Sequence, residues 1–85
     1  MEITEKGIKK ISTAECSFLR GFRQLPREQR VEFELEAMEM LNYSSVSTFR
    51  KRLMGQWPVI HRDVAMKAVE RLFNEKYNIY NVWGL

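Results

Sequence analysis

The sequence predicts an all-α fold, a small bundle of four or five short helices with an apolar C-terminal tail packed back on the core. Three observations predict it. Apolar residues recur at three- and four-residue intervals in four separate stretches, the spacing of one helix face. Residues that start or stop helices stand between those stretches. Only four glycines and two prolines interrupt 85 residues, of which 45% are hydrophobic, so the chain reads as an ordered globule and not as a disordered or collagen-like one. The length suits one domain spanning 1-85 and is too short for two, with residues 1-12 expected to form a flexible N-terminal segment.

The first helix is expected from Ala14 to Gln24. Ser12 and Glu15 have the spacing of a capping box, in which each side chain satisfies a backbone N–H of the first turn. Phe18, Phe22 and Leu25 supply its apolar face, and Gly21 is its weak point. Pro26 suits the first position of a second helix, because its missing N–H would be unpaired there in any case. Residues 31-37, "VEFELEA", alternate apolar and acidic side chains and taken alone read as a half-buried strand. Wrapped as a helix, Glu28, Glu32, Glu36 and Glu39 share one polar face, and Arg30 reaches the misplaced Glu34 at four residues' spacing. The helix reading, to Leu41, is preferred because helix formers dominate the "MEML" that follows.

Asn42 tolerates a left-handed backbone, and Ser44 or Ser45 suits an N-cap. A short third helix from about Val46 to Met54 then turns Val46, Phe49 and Leu53 inward, with Gly55 as its stop and Pro58 forbidding an early restart. From about His61 to Tyr77, Val64, Ala65, Ala68, Val69, Leu72 and Phe73 share one face, opposite Arg62, Lys67, Glu70, Arg71 and Asn74. Asn78 sits where a left-handed stop is wanted. The tail "IYNVWGL" is too short for a helix of its own, so Ile79, Val82 and Trp83 are expected on the core, or else exposed as a dimerisation patch.

Composition excludes several function classes. The N-terminal "MEITEKGIKK" has no apolar run and reads as neither a secretory signal nor a membrane anchor. Cys16, the one cysteine, has no partner for an internal disulfide or a thiolate metal set, which suits a reducing cytoplasmic setting, and it reads as a small buried hydrophobe. His61 is the only histidine, there is no glycine-rich phosphate loop, and no nucleophile–base set stands out, so no catalytic residues, metal ligands, cofactor or small-molecule substrate are expected.

Charge is sorted along the chain. Residues 26 to 43 hold two basic and five acidic side chains, whereas residues 44 to 62 hold four basic and no acidic ones. Placed on the third helix with Phe49 and Leu53 inward, the stretch "SSVSTFRKRLMGQWP" throws Ser47, Thr48, Lys51 and Arg52 outward, with Ser45 and Arg50 on the flanks. Hydroxyls and backbone donors lead and cations follow, which is the division a DNA-reading helix needs: cations for phosphates or guanine, short hydroxyls for close approach.

Here the chain resembles the phage-repressor and Cro-type helix-turn-helix family. Its members show a helix, a short turn, then Ser-x-Ser/Thr-Thr-apolar-x-basic, a glycine, a proline and another amphipathic helix. The counterparts are "SVSTFRK" at 45-51, Gly55, Pro58 and "HRDVAMKAVERLFNEKYNI" at 61-79, so the likeness covers a core of 27-79. The closing "LFNEKYNIYNVWG" is similar to the end of small single-domain members, with Asn78 in place of a glycine. The resemblance implies a helix-turn-helix within the bundle and DNA contacts at Ser45, Ser47, Arg50 and Lys51, with Thr48 near the backbone. It places Glu39 where the family has a small alanine and Tyr43 where it has the turn glycine, unless Ala37 or Met38 makes that contact.

Two functions are therefore weighed. The first is a small DNA-binding transcriptional regulator of phage or mobile-element type, binding double-stranded DNA, with Lys9, Lys10 or Arg62 as added phosphate contacts and a homodimer through the aromatic C-terminal region. The second is a non-enzymatic protein-protein interaction module, an adaptor or inhibitor, favoured by the acidic second helix and by Trp57, Tyr80 and Trp83 read as exposed anchors. RNA and membrane surfaces fit less well, since the aromatics are scattered and the third helix is short.

Overall fold

The structure is a computed structural model and describes residues 14–85. The expectations for the Ser12 capping box, for residues 1-12 and for Lys9 and Lys10 lie outside the described residues. A 3-10 turn, Ala14–Cys16, leads into α1 (Leu19–Arg23), α2 (Arg27–Leu41), α3 (Val46–Leu53) and α4 (Arg62–Tyr77). The all-α bundle expected from periodicity is what forms, and the apolar tail does pack back on it: Ile79 and Val82 are buried and Trp83 is half-buried.

The first helix differs from its expected span. It breaks at Ser17 and Phe18, both fully buried, because their polar groups are drawn to distant partners. The Ser17 hydroxyl donates to the Leu53 carbonyl at 2.7 Å, and the Phe18 amide donates to the same oxygen at 3.2 Å. What remains, α1, has only five residues. Such a helix has no stability of its own, because most of its backbone donors have no partner inside it. Its donors find partners elsewhere: Leu19 N–H on Ser17 Oγ at 3.1 Å, Arg20 N–H on Gly84 O at 2.9 Å and Gly21 N–H on Val82 O at 3.0 Å. The tail gains in return, since Gly84 N–H donates to Ser17 O at 2.7 Å.

Gly21 is therefore less a weak point than a point of close approach. A Cβ there would stand 3.1 Å from Phe73 Cζ and 3.2 Å from Val82 Cα. Arg30 also differs from expectation. Its guanidinium turns from Glu34 to the end of α1, donating to Leu25 O (3.0 Å) and Arg23 O (3.1 Å) over the Phe22 ring. Carbonyls at a helix C-terminus lack internal partners, so they compete well for a cation against a solvated carboxylate.

Residues 31-37 are helical. Phe33 and Ala37, four apart, are buried, while Val31 and Leu35 point to solvent, so the apparent alternation mixed core and surface positions. Pro26 stands one residue before α2 with φ −58° and ψ 155°, and its carbonyl accepts from Gln29 and Arg30 N–H at 2.9 and 3.1 Å. In α4 the expected inward Val69 and Phe73 are buried, but Val64 is 70% exposed. It lies in the first turn, and among the described residues its side chain, like those of Val59 and Ile60, is exposed. Two residues of the polar face, Glu70 and Asn74, hold the tail: Trp83 Nε1 donates to Glu70 at 3.3 Å, and Asn74 Nδ2 to Ile79 O at 2.7 Å.

The core is aromatic. The Phe18 ring meets Phe33, Phe49, Trp57, Phe73 and Trp83 at centroid distances of 5.8 to 6.2 Å, mostly edge to face. Phe33 and Phe73 stack at 4.2 Å, locking α2 to α4. Such pairs contribute about 0.5–1.5 kcal/mol each beyond burial. Trp57 belongs to this cluster and is only 6% exposed, its Nε1 donating to Cys16 O at 2.8 Å. It is a core residue and not the exposed anchor its sequence context suggested. Cys16 is half-buried against the same core.

Two outcomes follow for urea unfolding. Phe18→Ala should cost ~3–5 kcal/mol, a large share of the roughly 5–15 kcal/mol that holds a small domain together. Gly21→Ala should lower the midpoint, although alanine is favoured in helices by about 1 kcal/mol. The Val82 backbone is tethered to Gly21 and cannot retreat; a rise in midpoint would show that it can.

Candidate functional site

The candidate site is the α2–α3 corner and the outward face of α3. Asn42, with φ 62° and ψ 42°, ends α2 in the left-handed region. Its N–H donates to Glu39 O at 3.1 Å and that of Tyr43 to Met38 O at 2.8 Å, the paired bonds that close a helix and turn the chain. Ser45 is extended at φ −128° and ψ 128° and caps α3, and its hydroxyl makes no cap hydrogen bond. Gly55, at φ 95°, closes the other end: Gly55 N–H donates to Arg52 O and Gln56 N–H to Lys51 O, both at 2.9 Å.

Between those stops α3 is eight residues long and is anchored by the buried Phe49 and Leu53. Ser17 and Phe18 pin its last turn through the Leu53 carbonyl. Ser45, Ser47, Arg50 and Lys51 are exposed, whereas Thr48 and Arg52 are half-buried. This corrects the wheel-based outward set of Ser47, Thr48, Lys51 and Arg52. Val46, taken as an inward residue, is 43% exposed, and Tyr43 covers the flank that carries Arg52.

Arg52 is committed to that flank. Its Nε donates to Tyr43 Oη at 3.0 Å, its Nη1 to Gln56 O at 3.1 Å, and its guanidinium lies over the Tyr43 ring at 5.3 Å. Tyr43 thus clamps the start of the corner to the end of α3. The small buried residue on α2 is Ala37, while Glu39 faces solvent. Neither Tyr43 nor Glu39 wedges the two helices apart.

The carboxylates of α2 divide. Glu32 and Glu36 bracket Lys76 of α4, with Lys76 Nζ 3.3 Å from Glu32 Oε2, and Glu36 also accepts from Tyr77 Oη. The hydrogen bond to Glu36, with further support from Glu32, holds the Lys76 ammonium well above the usual lysine range. Burial pushes the Tyr77 phenol up. Glu34, on the opposite side of α2, lines a hollow with Phe22, Arg50 and Met54. Near α4, Arg62 is half-buried with its Nε 3.6 Å from Asp63 Oδ1, and His61, at φ 60°, makes no side-chain cap. Among the described residues no group of three or more His, Cys, Asp or Glu is placed to hold a metal ion, and no helix is long and apolar enough to cross a membrane.

The sequence reading missed Met54 and Val46 as surface groups and Tyr43 as the partner of Arg52. The four-residue spacing of Val46, Arg50 and Met54 was the available signal for the first two. Comparison with known proteins finds no matching family model, no matching curated protein and no matching solved structure.

The clamp and the free cations should separate in stability measurements. Arg52→Ala should cost about 1–2 kcal/mol through its lost hydrogen bonds and ring contact, and Arg52→Lys should recover little, because an ammonium cannot span both acceptors. Lys51→Ala should stay within about 0.5 kcal/mol of the parent. Equal losses at the two positions would contradict the assignment.

Proposed function

We propose that this chain is a small DNA-binding protein, a transcriptional regulator of phage or mobile-element type, that lays α3 in the major groove as the second helix of a helix-turn-helix. One observation carries the reading: a short helix, fixed from behind by Phe49 and Leu53, presents Ser47, Arg50 and Lys51 together on its free face. Ser45 adds an exposed hydroxyl at its start that makes no cap hydrogen bond. Thr48 sits half-buried on the flank, and Arg52 holds the corner in shape through Tyr43 and Gln56. No carboxylate occurs between Met40 and Arg62, and the Glu32–Glu36 pair is drawn onto Lys76, so two carboxylates of α2 are neutralised away from α3, while Glu34 lies beside Arg50 and Met54.

Arg50 and Lys51 are the exposed cations of α3, with Arg52 and Arg62 half-buried, and so few contacts per copy favour two copies on a two-fold site with half-sites about 34 Å apart. The aromatic C-terminal region offers less for a homodimer than the sequence suggested. Val82 is buried and Trp83 half-buried, leaving Tyr80 and Leu85 exposed.

The second reading, a protein-interaction module that acts as adaptor or inhibitor, is favoured by a different observation. Val59 and Ile60, between α3 and α4, and Val64, in the first turn of α4, are each exposed among the described residues, and exposed apolar side chains are what partners cover.

A mobility-shift assay with selection from random duplex DNA, run at two salt concentrations, separates the two. The DNA reading expects an enriched motif and a log-affinity slope against log salt of about −3 per protomer. Lys51→Ala should weaken binding and make that slope shallower by about 1, whereas Arg50→Ala should weaken binding and relax the enriched motif. No shift at low salt would leave the interaction module as the standing reading.

A further inference from the structure

The free face of α3 is not uniformly polar. Val46, Arg50 and Met54 follow one another at four-residue spacing, which aligns them along one ridge of the helix. All three are exposed, Met54 at 48%, and with Ser47 and Lys51 they line one shallow groove. Along this ridge a guanidinium is bracketed by two apolar side chains.

Phosphate oxygens are bound by cations and by N–H or O–H donors, so a helix that met only the DNA backbone would have no use for Val46 and Met54. On the floor of the major groove the apolar feature is the C5-methyl of thymine, and the feature an arginine fits best is the O6/N7 edge of guanine. Resting on the DNA-binding reading above, we infer that Val46 and Met54 contact thymine methyl groups on either side of a guanine contacted by Arg50. Val46 is β-branched and presents its methyls in few rotamers. Met54 is unbranched and adapts to the position of its target. From Val46 to Met54 the helix rises about 12 Å, which spans three to four base steps of roughly 3.4 Å. The thymines therefore fall within about two steps of the guanine, one on each side.

Replacing single thymidines by deoxyuridine in the duplex enriched by selection removes one methyl at a time and leaves every hydrogen-bonding edge intact. Affinity of the wild type should weaken about fourfold at one position on each side of the guanine, the effect of unburying a single carbon group. Val46→Ala should lose the sensitivity on one side only and Met54→Ala on the other. Both residues are exposed, so the two variants should keep the parent's thermal midpoint. Wild-type binding that ignores uracil at every position, or methyl sensitivity that persists in both variants, overturns the methyl contacts while leaving the DNA-binding reading in place. Failure to enrich any duplex removes both.

Discussion

The junction at Ser17 and Phe18 is the constraint on which the rest of the structure depends. Phe18 is the hub of the core, touching rings from α2, α3, α4, the Trp57 loop and the tail. Such a position leaves no room for water, so each polar group around it needs a protein partner. Ser17, also fully buried, supplies several: its hydroxyl serves Leu53 O and Leu19 N–H, and its carbonyl serves Gly84 N–H. A continuous helix through this point would have kept its backbone bonds local and left the Leu53 and Gly84 groups unpaired.

From that junction the stiffness of the candidate site follows. The end of α3 is held at Leu53 O, its middle by Phe49 and its flank by the Arg52–Tyr43 clamp, so its outward side chains are mounted on a helix fixed on three sides. A recognition surface gains from such mounting, because little further ordering is needed on binding. The pair Glu32–Glu36 around Lys76 contributes in a different way, joining α2 to α4 at the surface while taking two carboxylates out of the field near the helix ends. As an exposed cluster it shapes the charge distribution more than it stabilises the fold.

Much of this was legible in the sequence where few residue types solve a local problem. Asn42, Gly55 and Asn78 were readable as helix stops because a positive φ admits few side chains, and all three adopt it. Phe49, Leu53, Val69 and Phe73 followed from helical spacing, and the return of the tail to the core from its being apolar and too short for a helix of its own. What stayed hidden depends on partners far away in the chain. The break at Ser17 answers to residues 53 and 84, and the burial of Trp57 to the carbonyl of Cys16. Periodicity also overreached at Val46 and Val64, which carry the right spacing but stand in first turns that extend past the core. The outward face of α3 was partly readable: Ser47 and Lys51 fell on it by either register, whereas the fate of Arg52 required knowing where Tyr43 would lie.

The exchange of backbone bonds between α1 and residues 82 and 84 has a consequence for synthesis in the cell. A nascent chain emerges N-terminus first, yet the Arg20 and Gly21 amides of α1 obtain their acceptors from residues 84 and 82. Until those residues leave the ribosome, Phe18 has no closed pocket and Arg20 and Gly21 have no partners for their amides. These bonds and the Phe18–Trp83 contact therefore form only after residue 84 has left the ribosome.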